Sequence, residues 1–221
     1  FMAGIFSGGY YYYIQYRKPR SEAQSAIPAD AVFVIEARDL RQVWADLSAS
    51  PLWKKFLRAE RTGKYNALIM DIDSAVTAHA GLRELMESSP LFVSAHLTGT
   101  GMLDFLFVHA LAGTTGTDAV GQMISEATGG KALFSERKSG GILLKEARFP
   151  GTDGAAFTYT VHKGLFIGSF SAFLTEESLR CLASGRSAAA SHSFRKVCET
   201  AGRRVDASMY VSYPGLARLF G

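Results

Sequence analysis

The chain has 221 residues, of which 48% are apolar, and 24 Lys and Arg against 20 Asp and Glu give it a formal net charge of +4. This composition is typical of a globular protein, and it excludes wholesale disorder, a collagen-like fibre and a bundle of membrane-spanning helices. Two cysteines cannot supply a disulfide-rich scaffold or a four-ligand zinc site.

The positive charge is concentrated at the amino end. Residues 1–26 hold Arg17, Lys18 and Arg20 against Glu22, so half of the net charge of +4 lies there. The compact remainder is nearly balanced, whereas a nucleic-acid-binding domain normally carries a basic face or stripe. We therefore predict no nucleic-acid partner.

Residues 1–16 (FMAGIFSGGYYYYIQY) carry no charge and are followed directly by RKPR. Sixteen helical residues reach about 24 Å, which is short of the roughly 30 Å hydrocarbon core of a bilayer. Because the first residue is Phe and not an initiator Met, we expect the apolar run to begin upstream. Tyrosines suit the membrane–water interface, the basic residues that follow suit lipid head groups, and Pro19 ends the helix.

The pattern predicts a single-pass membrane anchor over residues 1–19, with membrane lipid as its first partner. Small residues one turn apart would let a second membrane helix approach closely. An apolar strand or a buried core helix is the alternative, and the visible basic flank alone leaves the orientation open. The residues assigned to the anchor are Phe1, Gly4, Gly8, Tyr10, Tyr11, Tyr12, Tyr13, Tyr16, Arg17 and Lys18.

A polar linker is predicted over residues 20–26 and an α+β domain over residues 27–205. The run Val32–Ile35 predicts a first strand, and Asp39 caps a helix whose inward face includes Trp44. We expect Phe33 and Trp44 to be buried, because a strand and the helix that follows it cover each other. Further helical patterns begin at Pro51 and cover about residues 64–88.

From Pro90 the apolar period changes to two, which predicts paired strands joined by residues 99–101. His96 and His109 lie within these strands and could meet across the hairpin to hold zinc with a third ligand. No such ligand stands at a recognised spacing, so we interpret both histidines as structural and predict no metal.

The remaining chain predicts a helix over about residues 118–128, four short strands, and two further helices, the second of which begins at Ser191 or Ser193. The strands are KALFSER, GILLKEARF, AAFTYTV and GLFIGSF, and a turn at 162–164 joins the last two. Cys181 and Cys198 are expected to be thiols, since a buried unpaired cysteine is common. A disulfide between them is the alternative in an oxidising compartment such as the periplasm. The predicted fold is α+β, an antiparallel-rich sheet with helices packed on one side, and an internal duplication is left open.

Catalytic signatures are missing from the sequence. The glycines at 129–130 and Lys131 lack the spacing of a phosphate loop. Ser169 lies in GSFS, without the second glycine of a nucleophile elbow. Asp71 and Asp73 point to different sides of their predicted helix. We therefore assign no catalytic residue and no cofactor, although Ser, His and Asp are plentiful and the sequence cannot show which of them approach one another.

Residues 206–221 resemble the start of the domain. DASMYVSYPGLARLF (206–220) aligns with DAVFVIEARDLRQVW (30–44) at an offset of 176 residues, with identical Asp, Ala and Leu at three positions. Residues 206–221 are thus either the start of a second repeat or a returning strand of the same sheet.

Four stretches of the chain carry a resemblance to a known family. They are IPADAVFVIEARDL, SPLWKKF, SPLFVSAHLTGTGMLDFLFV and HKGLFIGSFSAFLTEESLR. Together they resemble a family of uncharacterised bacterial membrane-anchored proteins. Members carry a large extracytoplasmic domain of unknown function and come mostly from the phylum that includes Bacteroides. The resemblance covers about residues 20–221, although the Arg- and Ala-rich helices here differ from Lys- and Asn-rich members. It implies a single-pass inner-membrane anchor, a periplasmic domain and a longer carboxyl-terminal part, and no activity.

The sequence favours a non-enzyme. We expect a membrane-tethered periplasmic domain that binds other integral-membrane or envelope proteins as a subunit of a complex. The alternatives are an envelope-associated enzyme and a hydrophobic-ligand-binding module. A cleft with convergent polar groups would favour the enzyme, and a large exposed apolar patch away from any cleft would favour the binding domain.

Overall fold

The computed structural model describes residues 23–51, 89–99, 102–111, 115–150, 156–202 and 205–220. The predicted anchor and the helical pattern over residues 64–88 lie outside these ranges. Among the described residues, no helix combines the length and the apolar character needed to cross a bilayer.

The described residues form eight strands and five α-helices. In chain order they are β1 Phe33–Ala37, α1 Leu40–Ala49, β2 Leu91–Gly99, β3 Met102–Ala110, α2 Thr117–Ala127, β4 Leu133–Ser139, β5 Ile142–Arg148, β6 Ala156–His162, β7 Leu165–Ser169, α3 Ala172–Ser184, α4 His192–Thr200, β8 Ala207–Val211 and α5 Tyr213–Phe220.

The eight strands form one antiparallel sheet in the order β4-β5-β6-β7-β3-β2-β1-β8. The α+β prediction is therefore confirmed. The predicted turn between β6 and β7 is formed by Lys163 and Gly164, whose φ angles are 52° and 75°. Two consecutive positive φ angles match the twist of a tight hairpin.

Local capping places the helices where the sequence predicts them. Asp39 Oδ1 accepts a hydrogen bond of 2.9 Å from the backbone N–H of Gln42 at the start of α1. Ser191 caps α4 by accepting from the backbone N–H of Phe194. Each cap satisfies a backbone donor that has no partner within the helix.

One face of the sheet, which we call the core face, carries the main hydrophobic core. Its members include Val34, Phe92 and Leu106, and buried side chains of α3 pack against them. Ala23 and Ala26 are fully buried in the same core, and the Ala26 carbonyl accepts a hydrogen bond of 2.6 Å from Ser178. The linker predicted over residues 20–26 is therefore corrected from Ala23 onward: small side chains let this segment pack closely on α3.

The opposite face, which we call the second face, carries its own helix. Val120 of α2 packs with Ala147 and Tyr159 of that face. The prediction that the helices pack on one side only is therefore wrong. The reason is that neighbouring residues of the central strands are apolar, so both faces of the sheet need cover.

Two packing expectations have different outcomes. Phe33 lies on the second face, 6.3 Å from the Phe105 ring between centroids, and it and Trp44 are only partly buried. The expectation that both are buried is corrected.

Cys181 and Cys198 are both thiols, as expected. Burial, and then the nearby Glu177, raise the pKa of the Cys181 thiol to about 11, so this group is protonated at neutral pH.

Candidate functional site

Three polar side chains that could not be associated from the sequence form a hydrogen-bonded chain. The Nε2 atom of His96 lies 2.9 Å from Ser94 Oγ, and its Nδ1 lies 3.1 Å from Asp30 Oδ1. Ser94 and His96 are two residues apart on β2, so both face the core side, whereas Asp30 precedes β1. The connectivity is that of a Ser–His–Asp hydrolase triad.

The accessibility of this chain is the reverse of what hydrolysis requires. Ser94 and His96 are fully buried within the sheet, while the Asp30 side chain is 57% exposed. A nucleophile needs an open route to substrate, and the acid that orients the histidine is normally the buried member. The hydrogen bond with His96 holds the pKa of Asp30 below its usual value. The arrangement therefore ties the segment before β1 to β2.

The two strand histidines do not form a metal site. His96 is opposite Asp104 and His109 is opposite Leu91, so they lie at opposite ends of the β2–β3 hairpin and on opposite faces. His109 Nδ1 lies 3.3 Å from Ser89 Oγ and from the Pro90 carbonyl. In the described ranges no three His, Cys, Asp or Glu side chains are grouped so as to hold a metal ion. Asp71 and Asp73 lie outside the described residues.

A buried carboxylate joins β1 to β8. Glu36 is fully buried, and Arg38 donates to its two oxygens at 3.1 and 3.2 Å. Tyr210 of β8 donates a third hydrogen bond of 3.0 Å to the same carboxylate. Arg38 also donates to Ser208 and to the carbonyls of Gly202 and Val205. This network fixes the position of β8 at the edge of the sheet.

Tyr159 has a buried hydroxyl group with no hydrogen-bond partner among the described residues. A Cβ atom added to Gly121 of α2 would lie 2.8 Å from this hydroxyl, so the helix packs closely over it. Burial raises the pKa of Tyr159 to about 12, which keeps the hydroxyl neutral. This hydroxyl therefore forms no hydrogen bond within the part of the chain that the structure describes.

Replacing Tyr159 with Phe is therefore expected to raise the free energy of unfolding by about 1 kcal/mol, because an unsatisfied buried hydroxyl is removed. The matched control is Tyr210→Phe, the same chemical change at a hydroxyl that donates to Glu36. This control is expected to lower the free energy of unfolding by about 1–2 kcal/mol. Urea denaturation measures both, and equal losses in the two variants would contradict the assignment.

The two edges of the sheet differ in charge. Edge strand β4 carries Glu136, Arg137 and Lys138 in succession after two exposed apolar residues. Glu136 pairs with Lys145 at 3.0 Å, and Arg137 pairs with Glu146 at 3.0 Å and with Glu176 of α3. Charged residues on an edge strand discourage the pairing of another strand.

The opposite edge strand, β8 (ASMYV), contains no charged residue and no proline. Arg38 N–H bonds to the Asp206 carbonyl, and Ser212 N–H bonds to the Val32 carbonyl. Since bonded pairs alternate in an antiparallel ladder, Ser208 and Tyr210 direct their backbone groups towards β1. Ala207, Met209 and Val211 therefore direct theirs outward, and no described strand pairs with them. We call these three residues the β8 edge.

Exposed apolar side chains accompany the β8 edge. Met209 is 58% exposed and Val211 is 43% exposed, and both lie on the second face beside the partly buried Ile35 and Phe33. Val205, just before the strand, is also exposed. The edge thus offers unpaired backbone groups together with apolar contact area.

The residues singled out from the sequence and those singled out by the structure differ. All ten predicted anchor residues lie outside the described ranges, so the anchor stays a prediction. The β8 edge was not predicted as a site, although an uncharged strand sequence at the end of a sheet was the signal that could have indicated it. Comparisons with protein-family models, with curated proteins and with solved structures found no match to this chain.

Proposed function

We propose that this chain is a non-catalytic binding domain, tethered to the inner membrane and facing the periplasm, that captures another envelope or membrane protein by strand addition at the β8 edge. The observation that carries this proposal is the contrast between the sheet edges. The β4 edge carries three consecutive charges, whereas the β8 edge is uncharged, exposed and apolar.

Strand addition suits these features physically. An extended segment of a partner would form main-chain hydrogen bonds with the outward groups of Met209 and Val211, and its side chains would cover theirs. Proteins normally protect an uncharged edge strand by a bulge, a charge or a covering element, because an open edge also recruits unrelated chains. No described element pairs with the β8 edge, and we infer that a partner covers it.

The predicted anchor would support such binding. Because the fold is packed from Ala23 onward, only residues 20–22 remain between the predicted anchor and the domain, which is a reach of about 10 Å. A tether this short keeps the β8 edge near the membrane surface. It raises the effective concentration towards other membrane-bound proteins, so that a small interface can persist.

Site-specific photocrosslinking in intact cells tests this function. A benzophenone amino acid at Met209 of the full-length protein is expected to give one recurring adduct with an envelope or membrane protein, identified by mass spectrometry. The matched control places the probe at Leu133 of β4, which is 70% exposed on the other edge strand. Adduct formation at 209 should fall at least about tenfold when Val211 is replaced with Lys, because the charge would have to be buried.

Two outcomes would overturn the proposal. The same adducts from positions 133 and 209 would show that the β8 edge has no special role. Release of the full-length protein from membranes by alkaline carbonate would remove the tether, since such a wash leaves spanning helices in the bilayer.

A further inference from the structure

We propose that the strand accepted by the β8 edge belongs to a second unit of this same fold and has the residue pattern of β2. This inference rests on the proposed function and specifies its partner. It is carried by the relation between β1 and β8, which are similar in sequence and adjacent in space.

The two strands repeat one another. Asp30, Ala31 and Leu40 are matched by identical residues 176 positions later. Each strand is followed directly by a helix, α1 after β1 and α5 after β8. The similarity observed in the sequence therefore extends to a shared strand–helix unit.

The pairing between the two strands is symmetric. Phe33 is opposite Val211, Val34 is opposite Tyr210, and Ile35 is opposite Met209. At the offset of 176 the counterpart of Val34 is Tyr210, so Val34 lies opposite its own counterpart. Phe33 lies opposite Val211, the counterpart of Ile35, and Ile35 lies opposite Met209, the counterpart of Phe33. A local twofold axis passes between Val34 and Tyr210, perpendicular to the sheet.

Contacts at the ends of the strands follow the same relation. The Asp206 carbonyl accepts a hydrogen bond of 2.7 Å from the Arg38 backbone N–H. Its counterpart, the Asp30 carbonyl, accepts one of 3.1 Å from the Arg218 side chain. Pro214 is the counterpart of Arg38 and has no N–H to donate, so a side chain one turn later supplies the bond.

The symmetry specifies what lies on the open side of β8. On its side away from β8, β1 pairs with β2, with Phe33 opposite Ala95 and Ile35 opposite Val93. The twofold axis places an equivalent of β2 beside β8, with position 95 opposite Met209 and position 93 opposite Val211. The apolar residues of that strand would then cover the two exposed side chains of the β8 edge. β2 of this unit is paired with β1 and β3, so it cannot also pair with β8. The strand therefore belongs to a second unit in which β8 takes the place of β1.

The test uses a peptide with the sequence of Leu91–Gly99, flanked by lysines for solubility, added to the full chain in detergent micelles. We expect binding that slows hydrogen exchange at the outward amides of Met209 and Val211 by at least about tenfold. The Tyr210 amide, already directed towards β1, should change little. The matched control peptide has the sequence of Leu133–Ser139, from the charged edge strand, and should bind at least about tenfold more weakly.

Two variants connect the binding to the edge. Met209→Pro removes an outward N–H without removing a bond to β1, and proline is tolerated on the open side of an edge strand. Val211→Lys keeps the backbone N–H groups and adds a charge to the edge. It replaces Met209→Pro in the test if circular dichroism shows that Met209→Pro is unfolded. Each is expected to weaken binding of the 91–99 peptide at least about tenfold.

The other outcomes separate this inference from the proposed function. Equal binding of the two peptides would leave strand addition intact and overturn the preference for a β2-like strand. Binding of neither peptide would overturn this inference, while the photocrosslinking experiment would still decide the function. If the full chain forms a dimer and Met209→Pro dissociates it, the preference for a β2-like strand is overturned, and β8 instead pairs with β8 of a second copy.

Discussion

Replacing Arg38 with Met is expected to lower the free energy of unfolding by about 3–5 kcal/mol, since it removes a cation that donates two hydrogen bonds to the buried Glu36 carboxylate. Glu36 is fully buried, and Arg38 forms two hydrogen bonds with it while being 15% exposed itself. Met retains the length and the apolar contacts of the arginine stem, so the loss reports mainly on the charge. Urea denaturation monitored by tryptophan fluorescence measures it.

A second substitution separates the charge from the packing. Glu36→Gln in the Arg38→Met background should recover a large part of the loss, because a neutral amide then replaces the buried carboxylate that Arg38 paired with. Arg148→Met is the matched surface control, since Arg148 is 54% exposed and its partner Glu146 also pairs with Arg137. It should cost less than about 1 kcal/mol. If Arg38→Met were no more costly than this control, Glu36 would not depend on Arg38.

The same substitution links stability to the proposed binding surface. Arg38 donates to Ser208 and to the carbonyls of Gly202 and Val205, so it holds the segment that leads into β8. Arg38→Met should therefore speed hydrogen exchange at Tyr210 more than at Leu144, which lies in the interior strand β5. The β8 edge would then be present only while this network holds the strand in place.

Replacing Gly168 with Ala is expected to lower the free energy of unfolding by about 1–3 kcal/mol through overpacking. A Cβ atom at Gly168 would lie 2.5 Å from Cζ of Phe157 and 3.0 Å from Cζ of Phe166. The Phe157 ring also contacts the rings of Tyr159 and Phe170, with centroids 6.2 and 5.0 Å away, so it has little room to move. The glycine is required here because an aromatic ring occupies the space of its side chain.

A compensating change tests that explanation. Phe157→Leu in the Gly168→Ala background should cost less than the sum of the two single changes, because the shorter side chain makes room for the added methyl group. Gly202→Ala is the control, since among the described residues its Cβ would meet Val205 alone, at an ordinary contact distance of 3.6 Å. Additive losses in the double variant would show that the ring is not the cause.

Local structure could be predicted from the sequence because its bonds join residues a few positions apart. Asp39 caps the helix that follows it, Ser191 does the same for α4, and the turn at Lys163 and Gly164 closes a hairpin between neighbouring strands. The change of apolar period after Pro90 likewise located β2 and β3. None of these features depends on how distant parts of the chain meet.

The candidate site could be predicted only in part. The similarity of residues 30–44 and 206–220 was visible in the sequence, but it left a second repeat and a returning strand as equal alternatives. The structure shows β8 as a strand of the same sheet, beside β1. The outward direction of Met209 and Val211 follows from that pairing and from its register, and a shift of one residue would have reversed it.

The sequence predicted most of the described strands and helices, the uncharged character of β8 and the similarity between residues 30–44 and 206–220. Only the folded chain shows the strand order, the helices on both faces, the burial of Ala23 and Ala26, and the contact between Asp30 and His96. The physical reason is distance along the chain. A cap or a turn is stabilised within one or two turns of backbone, whereas the contact between Glu36 and Tyr210 joins residues 174 positions apart. Such a contact forms only when the packing of the whole sheet compensates the entropy lost in closing that loop.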